Sequence, residues 1–397
     1  MKVKFIFYRL LQFILSKVQP IIPWRMPELI SKEGSIYILP KYLKMEGFKK
    51  VLIITTEGFI KRGTLNGLFE KIHNAKIEYV IFNDVKPDPT IECIEEAVKV
   101  YRREDCEGII AIGGGSVMDA AKIVGARIVK PRQSVKEMTG LFKIRKKLPP
   151  LYLVPTTAGT GSEVTVAAVI TDSSNHYKYP ISDTCLLPKF AVLDPILTLG
   201  LPKNLTASTG MDALTHAVEA YINKFASKQS KKYAKDAIKI IFDNLIKAYN
   251  NGEDIEAREQ MLLASYYAGA AFTKAYVGYV HAIAHGIGGL YGVPHGRANA
   301  IILPVVLKAY GKAIFKELAE LADLVAITGK SDEEKANKFI DAIVTMNIKM
   351  DIPNKLGVIR EKDIPEIIKR ALKEANPAYP VPVIWDYNKL EAVLEKL

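Results

Sequence analysis

Cysteine is scarce in this chain. Cys93, Cys106 and Cys185 are the only three in 397 residues, and no two stand at a C-x-x-C spacing. That argues against a disulfide framework and against a zinc–thiolate site, and it fits a reducing, cytoplasmic compartment. There is no internal repeat and no low-complexity stretch, so solenoid, collagen-like and disordered architectures fall away. No apolar run reaches the roughly 20 residues that span a bilayer. The nearest, FIFYRLLQFI from Phe5 to Ile14, is short and carries Arg9 and Gln12. The QPIIPW that follows from Gln19 offers no small-residue cleavage site, which argues against a signal peptide. The run predicts an N-terminal helix packed on the body or on a partner subunit, with a membrane-surface anchor as the lesser alternative.

What is present is ordinary for a globular chain. Hydrophobic residues make up 49% and charged residues 25%, and the length suits two domains. The formal charge of +12 favours anionic partners such as the phosphates of a dinucleotide. The lysines are scattered, and the densest spot, Lys143 to Lys147, is short, so the excess reads as a solvated surface and nucleic acid is not an expected partner.

The first third alternates compact apolar runs with a helical pattern. Lys50–Thr55, Lys76–Phe82 and Gly108–Ile112 read as buried strands, and Thr90–Arg103 has helical spacing at Ile91, Ile94, Ala97 and Val98. This alternation points to a parallel sheet with helices on its faces. Leu151–Val154 and Val164–Ile170 add two apolar runs. Beyond Pro195 long helical patterns dominate, as in Ala207–Phe225 and Glu256–Phe272. The expected organisation is an extension helix over 1–30, an α/β dinucleotide-binding domain with a parallel sheet over 31–194, and an all-α metal-binding domain over 195–397, with the active site in the cleft between the last two.

Two segments suit phosphate and ribose. Ile112-Gly113-Gly114-Gly115-Ser116 leaves a buried strand and opens a helix. Glycines let the backbone approach a pyrophosphate, and the helix N-terminus turns N–H groups toward the anion. It is not the G-x-G-x-x-G pattern. The second segment, PTTAGTGSE from Pro155 to Glu163, is dense in hydroxyls and also follows a strand.

Of six histidines, four fall between 216 and 295. Asp212 and His216 are four apart on a helical pattern, so they share a face and can share a cation. His281 and His285 repeat the spacing on a second helix, and His295 sits in a loop bounded by glycine and proline. Imidazole and carboxylate suit iron, zinc or cobalt better than magnesium or calcium. Five candidates exceed a four-coordinate site that keeps a position open for substrate. One should serve another role; His285 is the choice, as a proton relay.

GGGSVMDAAK, PTTAGTGSE, AVLDP, TGMDALTHAVEAY and GYVHAIAHGIGGLYGVPHGRANAI, in this order and spacing, together resemble the iron-containing (group III) alcohol dehydrogenase family, which has the dehydroquinate synthase-like fold. The resemblance runs from about Ile30 to the C-terminus. It implies an NAD(P)-linked, metal-dependent alcohol dehydrogenase or aldehyde reductase, with a small alcohol or aldehyde as substrate and a homodimer or larger assembly. It implies Fe(II), with Zn(II) as the alternative, on Asp212, His216, His281 and His295, and it makes His285 the non-ligand histidine near the nicotinamide. Gly114, Gly115, Ser116 and Asp119 match the pyrophosphate loop, and Thr156, Thr157 and Thr160 match the second cofactor loop. Lys178 matches a lysine that reaches the ribose.

The sequence departs from that pattern in three places. Thr56 follows the first strand where NAD-preferring members carry Asp; an acid there binds a ribose 2′-OH and repels a 2′-phosphate, so NADP becomes admissible beside NAD, with Lys61 and Arg62 nearby. Lys274 and Tyr276 stand where small or Asn-containing stretches are common, and they are expected to reshape the substrate pocket. The first thirty residues have no counterpart in shorter members. The rival readings are a polyol dehydrogenase or a dehydroquinate-synthase-like lyase on the same fold, and a non-catalytic scaffold with a structural metal.

Overall fold

The computed structural model describes residues 2–18, 24–173 and 177–397. The chain forms two compact units, one of Trp24–Gly200 and one that joins Met1–Pro23 to Leu201–Leu397. It opens with helix α1 (Lys2–Val18). Next come β1 (Glu28–Ser31), α2 (Leu39–Met45), β2 (Lys50–Ile54), α3 (Glu57–Lys61), α4 (Asn66–Asn74), β3 (Glu78–Phe82), α5 (Ile91–Arg103), β4 (Gly108–Gly113) and α6 (Gly115–Val129). The rest of this unit holds β5 (Gly140–Leu141), β6 (Leu151–Pro155), β7 (Ala167–Asp172), β8 (Tyr177–Ser182) and β9 (Phe190–Leu193).

Six strands form a parallel sheet in the order β1-β9-β6-β4-β2-β3. Its central strands are unbroken apolar runs because both faces are covered. Side chains alternate across the sheet. Leu52, Ile54, Ile109 and Ala111 turn to one face, with Met118 and Ile123 of α6 and Ile94 of α5. Val51, Ile53, Ile110 and Ile112 turn to the other, with Leu39, Leu43, Leu68 and Ile72. The chain runs outward from β2 to β3, then returns to lay β4, β6 and β9 on the opposite side of β2. The carboxyl ends of β2 and β4 therefore flank a topological switch point, where open parallel sheets bind ligands. Thr56, the glycine loop and the Thr-rich loop follow β2, β4 and β6 respectively. A smaller sheet, β5-β8-β7, completes the unit.

The second unit holds α7 (Lys203–Ile222), α8 (Lys228–Asn250), α9 (Ile255–Ala275), α10 (Tyr279–Tyr291) and α11 (His295–Tyr310). It ends with α12 (Phe315–Leu324), α13 (Asp332–Lys349), α14 (Ile364–Ala375) and α15 (Tyr387–Leu394). Helix α7 stops at Ile222, short of Phe225, because Asn223 leaves the helix and its side-chain amide donates to the carbonyls of Ala275 and Val277, the two nearest of three in reach. The division of the chain falls after Gly200, past Pro195, because Leu197 still packs in the core of the sheet. Asp194 holds that junction by accepting from the amides of Gly34, Ile36 and Ile196.

Candidate functional site

Helix α7 carries Asp212 and His216 on one buried face. Helix α10 carries His281, which is 2% exposed. One donor atom from each of these three lies within 4.8 Å of the others. His295 enters differently from the expectation of a loop ligand: it is the first residue of α11. Gly292 ends α10 in the left-handed region, at φ 66°, and Pro294 precedes the new helix, so Gly-Val-Pro breaks one helix and starts the next. Gly296 then lets α11 close on α7, since a Cβ there would stand 2.2 Å from the Ser208 carbonyl. His295 Nε2 consequently lies 3.4 Å from Asp212 Oδ1.

The electron-rich atoms converge on one point. Asn299 Nδ2 lies 2.7 Å from Asp212 Oδ1, 3.0 Å from His295 Nε2 and 3.2 Å from His281 Nε2. One amide has two hydrogens, so three acceptors outnumber what it can donate. His216 stacks between Phe272 and His281, with ring centroids 4.3 and 4.4 Å away. Glu219, one turn beyond His216, fixes the His281 ring: its carboxylate lies 2.7 Å from Nδ1 and also accepts from the amides of Gly278 and Val280. With its acceptor sites facing these amides, Glu219 takes the Nδ1–H, and the Nε2 lone pair turns toward Asp212. This is the tautomer that binds a metal. Burial pushes Glu219 up to about 8 and holds His281 well below its ordinary value. A divalent cation at Nε2 favours the ionised carboxylate and the neutral ring. Three imidazoles and a carboxylate, oriented in this way, fit such a cation.

His285, one turn after His281, lies beside this cluster and points Nδ1 elsewhere. Nδ1 is 2.8 Å from Glu374 Oε1, and Tyr379 donates to the same oxygen at 2.9 Å. Burial works against ionisation of Glu374, but His285 and Tyr379 hold its carboxyl below the usual range. The His285 ring stacks on His295 at 4.9 Å. Of the divergent stretch 272–276, Phe272 is the residue that touches the cluster. Lys274 and Tyr276 line a cavity beneath α1, and Lys274 donates to Gln229.

In the other unit the glycine loop and the Thr-rich loop touch. Helix α6 opens at Gly115, so the amides of Gly115 and Ser116 have no acceptor within the helix. A Cβ on Gly115 would meet the Thr160 methyl at 2.7 Å, and one on Gly114 the Thr157 hydroxyl at 3.2 Å. Thr156 donates its amide to Gly113. Asp119 has both oxygens engaged, by the Ser162 hydroxyl and the Val169 amide, so in this structure it ties α6 to the second loop. Fully buried Lys122 does the same by donating to Ser162, Thr165 and Ala167; burial lowers it to about 8. Thr56 bridges to Asp84 at the end of β3. Lys61 pairs with Glu57, and Arg62 lies over the Phe59 ring. Lys178 forms an ion pair with Asp88 at 2.7 Å.

Both units match family models: residues 27–195 match the iron-containing alcohol dehydrogenase model and residues 206–396 the C-terminal model of that family. The chain belongs to the iron-containing alcohol dehydrogenase family. Its reaction class is that of an NAD(P)-linked alcohol dehydrogenase or aldehyde reductase. It is 36% identical to the NAD-dependent methanol dehydrogenase of Bacillus methanolicus over 88% of this chain and 92% of that one. It is 38% identical to the NADPH-dependent butanol dehydrogenase of Clostridium saccharobutylicum, covering 78% and 80%. A solved 1,3-propanediol oxidoreductase superposes with a TM-score of 0.90 at 37% identity, covering 94% of this chain and 98% of that one.

Sequence reasoning missed four residues around the centre: Glu219, Asn299, Glu374 and Tyr379. Glu219 extends the Asp212–His216 face by one more turn, and Asn299 lies four residues after His295, so helical spacing held a signal for both. Glu374 and Tyr379 left none, because they meet His285 from 89 and 94 residues away in sequence. Replacing Glu219 with Gln keeps the shape but weakens the hold on the His281 tautomer. Metal affinity is expected to fall by about 10–100-fold, measured by competition with a chromogenic chelator; unchanged affinity would remove Glu219 from the ligand support.

Proposed function

We propose that the chain works as a cytoplasmic homodimer or larger assembly that interconverts a small primary alcohol and its aldehyde, with a divalent cation on Asp212, His216, His281 and His295. The observation that carries this reading is the convergence of three imidazoles and a buried carboxylate on one point, with Glu219 setting the ring tautomer. Fe(II) is the first choice and Zn(II) the second, since the donor set accepts both. When bound, the cation supplies Lewis acidity at the substrate oxygen and the nicotinamide takes or gives the hydride.

The residues of this chain do the rest. His285 moves the proton: Glu374 holds Nδ1–H, so Nε2 takes up the proton of the alcohol, and the carboxylate steadies the imidazolium that results. Gly114, Gly115 and Ser116 receive the pyrophosphate on the N-terminus of α6, and Thr156, Thr157 and Thr160 line the second loop beside it. Asp119 supports that loop from behind, and Lys178 is reserved for the ribose. Thr56 carries no charge to repel a 2′-phosphate, so NADP is accepted beside NAD.

The test is a paired assay. Protein reconstituted anaerobically with Fe(II) or Zn(II) is given a short aldehyde with NADH or NADPH. Metal-dependent oxidation of either cofactor is expected; no turnover in any combination, with metal bound, overturns the reading. In the same assay Thr56→Asp is expected to lower kcat/KM for NADPH by at least about tenfold relative to NADH, ~1.4 kcal/mol. An unchanged ratio would mean that position 56 does not face the ribose.

A further inference from the structure

Helix α1 is apolar on both sides, with its two polar anchors turned inward. A surface helix normally buries an apolar stripe and shows charge to water. Here the side toward the body carries Arg9 and Gln12 beside half-buried Phe5, Tyr8, Leu11 and Leu15. Gln12 is 2% exposed, and its amide donates to the carbonyls of Pro377 and Tyr379; Arg9 donates to the carbonyl of Pro382 and to Gln12. The side away from the body carries Val3, Ile6, Phe7, Leu10 and Ile14, exposed by 80%, 68%, 61%, 56% and 48%, while Phe13, 47% exposed, borders it and meets the Phe225 ring. Those positions recur at three and four residues, so they form one continuous face. The hydrogen bonds hold it outward: a roll that buried it would strip partners from Gln12 and from buried carbonyls. A bare apolar face of this kind marks an interaction surface.

Charge chooses the partner. The first 27 residues contain Lys2, Lys4, Arg9, Lys17 and Arg25 and no Asp or Glu. Lys4 stands beside the face and Lys17, three residues after Ile14 and seven after Leu10, on it, their ammonium groups 5.5 and 5.3 Å from the Tyr8 and Phe13 rings and their stems following apolar surface. Pairing with the same helix of a second copy sets base on base: Lys4 meets Lys17 if the helices run antiparallel about Leu10, and each meets its like if they run parallel. Anionic lipid headgroups pair with both lysines, and the acyl boundary takes the apolar face. Insertion across the bilayer is excluded for α1 by its 17 residues and by Arg9 and Gln12, and no single helix among the described residues is long and apolar enough to cross. The helix also lies ahead of the family match, which begins at residue 27.

We propose that α1 lies flat on an anionic lipid surface, with its apolar face in the headgroup–acyl boundary and Lys4 and Lys17 at the level of the phosphates. The enzyme body is thereby held at the membrane without entering it. The test uses the full metal-loaded chain in flotation assays with vesicles of phosphatidylcholine alone, or containing about 30 mol % phosphatidylglycerol. Binding is expected to be at least about tenfold tighter on the anionic vesicles and to weaken with salt. The double variant Phe7→Ser with Leu10→Ser should lose at least about tenfold in binding. The variant Lys4→Glu with Lys17→Glu should lose its preference for phosphatidylglycerol. Both variants should keep wild-type alcohol dehydrogenase activity, which shows that they are folded. Failure of the wild-type chain to float with anionic vesicles overturns the proposal, as does equal binding by the Phe7/Leu10 variant. A wild-type assembly that the Phe7/Leu10 variant splits in sedimentation, without vesicle binding, assigns the face to a second copy instead.

Discussion

Replacing His281 with Ala is expected to cost the protein its metal and at least about 10³-fold in kcat/KM. Substitution of a residue that only supports a ligand costs about 10–100-fold, and removal of a ligand must exceed that. The loss here is twofold. The substitution deletes one of the four proposed donors, and it strips Glu219 of the ring that its carboxylate orients at 2.7 Å, inside a site where that residue is 1% exposed. A buried acid that loses its partner is destabilised toward its neutral form. A protonated Glu219 does not restore the geometry around Asp212 and His216. Metal content of the purified variant and its rate after reconstitution are the measurements. Full metal occupancy with a wild-type rate would show that the cation is held elsewhere.

Replacing His285 with Ala should separate chemistry from metal binding. Turnover is expected to drop by about 10²–10⁴-fold, the span that a positioned proton carrier contributes, with the metal retained. Glu374→Gln is the milder companion. Glu374 is held below the usual carboxyl range by His285 and Tyr379, so it is a carboxylate throughout the working pH range and favours the protonated ring. Taking that charge away lowers the affinity of His285 for its proton, so the acid limb of the rate profile should move to lower pH in the Gln variant. In His285→Ala that limb should disappear. Loss of metal from the His285 variant would make it a ligand and end its role as relay.

The parts of this fold legible in sequence are those whose environment is uniform. Strands β2, β4 and β6 are buried on both faces, so they appear as unbroken apolar runs, and the glycines after β4 mark where the chain must turn into α6. The four-residue strands β1 and β9 carry too little pattern to be seen alone and are defined by their pairing, Ile30 with Val192. The spacing of Asp212 and His216 is a helical signal, and the two residues do share a buried face. Glycine and proline before His295 suggest a loop in the sequence; the same two residues end one helix and position the start of another. Lys274 and Tyr276 also line a cavity beneath α1, while Lys274 donates to Gln229 and the Tyr276 ring meets Tyr379, and nothing in local sequence foretells a neighbour some 260 residues upstream. The N-terminal run was legible as a helix. Which of its faces would be turned inward was not, because Gln12 is held by carbonyls at the other end of the chain.

That last attachment also carries a consequence in time. The acceptors that hold α1 are Pro377, Tyr379 and Pro382, between 365 and 373 residues later in the chain than the side chains they anchor. At roughly 5–20 residues per second on the ribosome, the helix emerges about 20–70 s before its anchorage exists. The α/β unit, continuous from Trp24 to Gly200, is complete well before then. For that interval α1 is an apolar, basic segment without the carbonyls that later anchor Arg9 and Gln12. The residues that set its orientation are made long after it.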